Sequence, residues 1–343
     1  MAALETFAAT RSKLFAELQE DLKQRGNPSV NISRFLDCLT ATTEGGKLNR
    51  GITVVKAGYA LLPNPPTPQE HAHLRILGWL VELFQAAYLV WDDMMDGSEY
   101  RRGRPCWYKG EGVGLTAIND ACMLKSCIFM LLRRHFRGHP EYAAFVELFH
   151  EAAFRTELGQ LCDTTTAASG QIQDMTAERY EFIARNKTAF YSFYLPVALA
   201  MLYCGQASEE GLGQAKSVLL DIGVYFQIQD DFLDVFGDPA VTGKVGTDIQ
   251  GSKCTWLVVQ ARELSDVHQQ QALRESYGQK GMDHERRVKG IFSELGIDVL
   301  YTDFEKRRLG ELQAQINALD ESRGGVKKAV LNMVLDSIQQ RDK

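Results

Sequence analysis

Apolar positions recur at helical spacing along almost all of the 343-residue chain, and runs alternating apolar with polar residues are essentially missing. Prolines are sparse. They cluster at 63, 65, 66 and 68, which predicts one helix–helix connection, and none follows Pro239. The stretch after Pro239 carries Leu, Ala, Glu, Lys, Gln and Arg in helical register, and no internal repeat is visible. The pattern predicts an all-α fold, a single domain over residues 1–343 built as a large bundle of about ten or more helices. Two predicted helices are apolar nearly all round. One runs roughly from Leu74 to Asp96, with Glu82 and Gln85 almost alone among its polar residues; the other runs from Lys216 to Phe236. Helices of that kind occupy the centre of a bundle.

Each of these two helices ends in aspartates, DDMMD at 92–96 and DDFLD at 230–234. Residues i and i+4 share a helical face, so Asp92 and Asp96 point one way, as do Asp230 and Asp234, with Asp93 and Asp231 flanking them. Like charges at this spacing destabilise a helix by roughly 0.2–0.5 kcal/mol per pair, and the macrodipole disfavours negative charge at a C-terminal end. Local energetics oppose the pattern twice over, so something positive must neutralise it. Magnesium suits: it takes oxygen ligands and is commonly held by one or two carboxylates plus phosphates and waters. Carboxylates without His or Cys point away from zinc. The two helix ends are expected to face each other across divalent cations and a diphosphate.

Basic, glycine-rich loops follow both clusters. Behind the first stand Arg101 and Arg102; behind the second, Lys244 and Lys253 among Gly237, Gly243, Gly246 and Gly251. Arginine binds phosphate bidentately and lysine acts as a point charge. A third basic site, Lys47 and Arg50, lies in GGKLNRG at 45–51. These charges are local, because the chain as a whole carries a net charge of −6. That balance argues against nucleic acid as a partner. The seven cysteines form no CxxC pair and read as reduced thiols of a cytoplasmic protein. The first residues do not resemble a secretory signal, and the longest apolar run, Ala189–Cys204, is too short to span a bilayer.

With these motifs assembled, the sequence resembles the farnesyl diphosphate synthases of the trans short-chain polyprenyl diphosphate synthase family. GGKLNRG, DDMMD with RRGRPCWY, GQLCD at 159–163, KTAFYSFYLP at 187–196, and FQIQDDFLD with GKVGTDIQGSKC match in order and spacing, and several segments are closest in wording to fungal members. The resemblance implies an all-α isoprenoid synthase fold with its helices around a central cavity, a homodimer, and three Mg²⁺ ions with diphosphate bound. It implies that Asp92, Asp96 and Asp163 hold two ions and Asp230 a third, with Asp231, Asp234 and Asp248 supporting the second cluster. Arg101, Lys187 and Lys244 then grip the allylic diphosphate, while Lys47, Arg50, Gln85 and Arg102 bind isopentenyl diphosphate. Thr188 and Gln227 steady the carbocation, Lys253 pairs with the second cluster, and Arg341 and Lys343 help seal the site.

The expected reaction is head-to-tail condensation of isopentenyl diphosphate with dimethylallyl and geranyl diphosphate, ending at farnesyl diphosphate. It needs no side-chain nucleophile. Family members carry two aromatic residues one turn before the first aspartate; here Ala87 and Tyr88 stand there, which opens geranylgeranyl diphosphate as an alternative product. Arg155 replaces a glutamine and Gly251 an acidic residue of the family pattern. A terpene cyclase shares the fold but needs no isopentenyl site, and a non-catalytic acidic binding subunit predicts erosion of a cluster. Neither aspartate cluster is eroded.

Overall fold

The computed structural model describes residues 2–238, 246–321 and 325–339, with side chains from Phe7 onward. The expectations for Lys244, Arg341 and Lys343 lie outside these residues. The described chain is all-α: α1 (Ala2–Gln24), α2 (Ser29–Thr43), α3 (Asn49–Leu61), α4 (Pro68–Asp96), α5 (Ala117–Phe136), α6 (Tyr142–Ser169), α7 (Ala177–Ile183), α8 (Leu195–Tyr203), α9 (Glu209–Phe236), α10 (Trp256–Leu264), α11 (Val267–Ser276), α12 (Met282–Glu294), α13 (Ile297–Asn317) and α14 (Lys328–Gln339). Between α7 and α8 the backbone winds as a π-helix over Ala184–Tyr194. Two compact units are present. The first takes the described residues up to Glu151 with Leu195–Leu212; the second takes Ala152–Tyr194 and the described residues from Gly213.

In the first unit α4 starts where the proline cluster ends. Thr67 caps it, with its hydroxyl accepting from the Glu70 backbone N–H while the Glu70 carboxylate accepts from the Thr67 N–H, and Pro68 fills the first helical position. Gly97, left-handed at φ 66°, stops the helix directly after Asp96. The first aspartate cluster is therefore its last turn. The helix begins six residues earlier than the apolar run suggested, because the capping box extends it through polar residues.

Alpha3 packs against α4 at backbone distance. A Cβ on Gly51 would lie 2.8 Å from the Gly78 carbonyl oxygen, and one on Gly78 would meet Gly51 in turn. Phe7 of α1 stacks on Trp79 at 4.8 Å and accepts its indole N–H through the backbone carbonyl at 2.7 Å. Alpha4 and the stretch Gly114–Phe136 are long and apolar enough to cross a membrane by composition; 72% of α4's most apolar window is buried inside the protein, as a core helix requires.

The basic loop after α4 is a tight β-hairpin, β1 (Tyr100–Arg101) paired antiparallel with β2 (Arg104–Pro105). Its two turn residues, Arg102 and Gly103, both have positive φ (54° and 73°), the combination a two-residue hairpin of native twist demands. Asp120 of α5, buried, accepts from Arg34 at 2.7 and 2.8 Å and from the Trp107 indole at 2.9 Å, tying the hairpin's exit to α2 and α5.

The core of the second unit gathers side chains of α10 to α13 around Leu257, Val258, Phe292 and Tyr301. Phe232 of α9 stacks on Tyr301 at 3.9 Å. Tyr225 of α9 and Tyr301 of α13 both donate to Glu305 at 3.0 Å, which satisfies this buried carboxylate.

At the far end of α4, His73 meets the Tyr203 hydroxyl at 3.2 Å, and the His139 ring stacks on the Tyr203 ring at 5.3 Å. Burial lowers the pKa of both imidazoles from the ordinary value. The unfolded chain then binds more protons than the folded one below about pH 6.5, so stability falls as the pH drops through that value. Thermal melts between pH 7.5 and 5 are expected to show a falling Tm, with a shallower decline in His73→Gln; parallel profiles for both proteins would contradict this.

Candidate active site

Within the first unit, Arg101 lies along the end of α4. Its guanidinium donates to Asp93 at 2.6 and 2.8 Å and stands 3.5 Å from Asp92. Burial pushes the Asp93 carboxyl above its ordinary range even against this arginine. Asp93 therefore acts as an anchor: it is buried, whereas Asp92 is half-buried and Asp96 exposed. Arg102 donates to the Glu44 carbonyl at 3.0 Å and lies so close to Gly46 that a Cβ there would be 2.9 Å from the guanidinium. The hairpin thus carries Arg102 to the loop that bears Lys47 and leads into α3, whose first turn holds Arg50.

Beneath these cations lies Glu82 of α4, 5% exposed, which accepts from the Gly51 N–H at 2.7 Å. Burial raises its pKa, while Arg50 and Arg102 pull it down. Glu82 holds the start of α3, and Gln85 follows it one turn along α4, half-buried. This role was missed in the sequence. Its signal was a lone carboxylate in an apolar run, since a buried charge requires a partner.

In the second unit, Asp163 of α6 is 4% exposed and accepts from Lys187 at 2.6 Å and Lys253 at 2.8 Å. Burial alone would raise its pKa; the two ammonium groups outweigh that and hold it below the ordinary carboxylate range. Lys253, expected at the second aspartate cluster when the site closes, donates to Asp163 here. Thr188 donates to Gln227 Oε1 at 2.8 Å, Gln227 Nε2 donates to Asp231 at 2.9 Å, and the Trp256 backbone N–H donates to the other Asp231 oxygen at 2.9 Å. Both Asp231 oxygens are thus engaged by protein donors, and burial pushes its carboxyl up to about 7. Asp234 accepts from the Asp248 N–H at 3.0 Å, and Asp230 remains half-buried.

Ala87 is fully buried. The Tyr88 ring lies 4.5 Å from Phe84 and 5.2 Å from Trp91, and the Lys125 ammonium sits 5.7 Å from its centroid. Of the expected aromatic pair, only Tyr88 supplies a ring, and Trp91 lies beside it.

As a metal site the donor set is all oxygen. Among the described residues no three His, Cys, Asp or Glu side chains converge on one point. The carboxylates stand instead in i, i+4 pairs, Asp92 with Asp96 and Asp230 with Asp234. That fits an ion which completes its shell with phosphate oxygens and waters.

Comparison with known proteins follows the same lines. The chain is 46% identical over 345 residues to the farnesyl pyrophosphate synthase of Saccharomyces cerevisiae, covering 99% of this chain and 97% of that one. It is 45% identical over 350 residues to that of Candida albicans, covering 100% and 99%. Its fold superposes on T. brucei farnesyl diphosphate synthase complexed with risedronate with a TM-score of 0.92 at 28% identity, covering 99% of this chain and 100% of the other. The polyprenyl synthetase family model matches residues 32–295, and the chain belongs to that family.

Proposed function

We infer that this enzyme condenses isopentenyl diphosphate head to tail with dimethylallyl and then geranyl diphosphate, forming farnesyl diphosphate. One observation carries the reading: the chain aligns almost end to end with farnesyl pyrophosphate synthases while both aspartate clusters and their basic partners stand intact.

The roles follow from charge. Arg50 and Arg102 both act on the buried Glu82 carboxyl, and with Lys47 beside them they offer the charged donors that a diphosphate takes. This set, with Gln85, takes isopentenyl diphosphate. Arg101, Lys187 and Lys244 take the allylic diphosphate; Asp92, Asp96, Asp163 and Asp230 hold the magnesium ions, three in number, with Asp231 and Asp234 supporting the second cluster. Magnesium, when bound, supplies the positive charge that stabilises the departing diphosphate. Lys187 and Lys253 bring two ammonium groups to Asp163, and preorganised positive charge of this kind stabilises a departing anion. The Thr188 hydroxyl gives its proton to Gln227, so what it offers a developing carbocation is its oxygen lone pairs. Asp231 fixes the Gln227 amide in that orientation. Attack by the isopentenyl double bond and loss of a proton to the departing pyrophosphate complete the reaction without a side-chain nucleophile. The protein works in the cytoplasm, a reading supported by its seven free thiols.

Incubation with labelled isopentenyl diphosphate, either allylic starter and Mg²⁺ should yield a fifteen-carbon alcohol after dephosphorylation, and excess chelator should abolish turnover. Hydrocarbon formed without isopentenyl diphosphate, or turnover indifferent to chelation, would overturn the assignment. Ala87 and Tyr88, one turn before Asp92, are the residues assigned to chain length, so Tyr88→Ala should shift product toward twenty carbons; an unchanged distribution would show that this ring does not set length. The chain forms a homodimer, supported by Phe154 and Leu161, each 60% exposed on one face of α6. Light scattering should return about twice the 38.5 kDa chain mass, and a single-chain mass would refute it.

A further inference from the structure

An eleven-residue π-helix, Ala184–Tyr194, carries Lys187 and Thr188. Such windings are rare and mostly single-turn, so one this long needs its neighbours to hold it. Two helices of the second unit read it residue by residue. Along α6, Arg155, Gly159 and Asp163 recur every four residues on one face. Asp163 takes the Lys187 ammonium, and a Cβ on Gly159 would collide with the Lys187 backbone. Along α9, Lys216, Gly223 and Gln227 share a face in the same way. Gln227 takes the Thr188 hydroxyl, and a Cβ on Gly223 would collide with Ala189.

The third member of each stripe is a cation, and both cations meet the same ring. The Arg155 guanidinium lies 4.9 Å from the Phe190 centroid and the Lys216 ammonium 5.6 Å from it, with Lys216 also 6.0 Å from the Tyr194 ring. Phe190 is 1% exposed and both cations are half-buried, and cation–π attraction grows as the pair loses water. Arg155 also donates to the Asn186 side chain at 3.3 Å, and Asn186 donates to the Phe182 carbonyl at 2.9 Å, where α7 gives way to the π winding. Arg155 therefore spans one turn of the segment, from Asn186 to Phe190, and Lys187 and Thr188 lie inside that span.

We propose that Arg155 and Lys216 are positioning residues that clamp Phe190 and so set the register of the π segment, aiming Lys187 and Thr188 for the reaction. The proposal rests on the reading above, in which those two residues serve prenyl transfer. It gives the half-buried Arg155 a task in the site.

The test is steady-state kinetics of Arg155→Met, Arg155→Lys, Lys216→Met and Phe190→Leu, with the Arg155→Met/Phe190→Leu double variant and the Tm of each. Displacing a reacting group by a fraction of an ångström should lower kcat about tenfold in Arg155→Met and Lys216→Met. KM for isopentenyl diphosphate should hold within twofold, because its proposed binding residues lie in the other unit. Arg155→Lys should recover most of the loss, and the double variant should be no slower than the worse single one. If Arg155→Met fails to fold, Lys216→Met decides alone. The clamp is refuted if kcat stays within twofold of the parent, if the losses are additive, or if lysine at 155 restores nothing. Lys187→Ala separates the two ideas: full activity in that variant would sink the functional reading instead.

Discussion

Carboxylates crowded onto the last turns of apolar helices are the constraint from which the rest of the chemistry follows. Burial, mutual repulsion and the helix dipole all oppose them, and the protein answers by dividing them into two sets. The deeply buried ones are taken by the protein's own donors: Asp93 by Arg101, Asp163 by Lys187 and Lys253, Asp231 by Gln227 and the Trp256 N–H, Asp234 by the Asp248 N–H. Asp92, Asp96 and Asp230 keep greater exposure. A hydrated divalent ion retains waters and needs only one or two carboxylates, so greater exposure suits such a ligand.

Two departures from ordinary helix place the cations. The two-residue hairpin after α4 puts Arg101 back along the helix it has just left and swings Arg102 to the loop before α3. The π-helix is wider per turn than an α-helix, and its contacts are made through glycines at 159 and 223 that admit backbone to backbone. In both places an unusual backbone is held by several independent contacts, as strained or rare geometry at a functional site requires.

The sequence carried a large part of this. Helical periodicity, the proline cluster at 63–68 and the all-round apolar character of α4 were readable because each signal lies within a few residues. Alpha4 still began earlier than its apolar run, since Thr67 and Glu70 cap it through side chains that periodicity ignores. The hairpin was hidden for a similar reason: its strands are two residues long, below any alternating pattern, and only the Arg102–Gly103 turn marks it.

What the sequence determined by itself was the helical class, the two aspartate clusters and the family, because like charge repeated at i, i+4 on an apolar helix is a local contradiction that only a cation resolves. Tertiary structure alone decided which aspartate became an anchor, that Lys253 meets Asp163, that Glu82 reaches the Gly51 N–H, and that Arg155 lies over Phe190. Those pairings join residues separated by 90, 31 and 35 positions. Which partner a buried charge finds depends on packing between distant segments, and nothing in the local pattern encodes it.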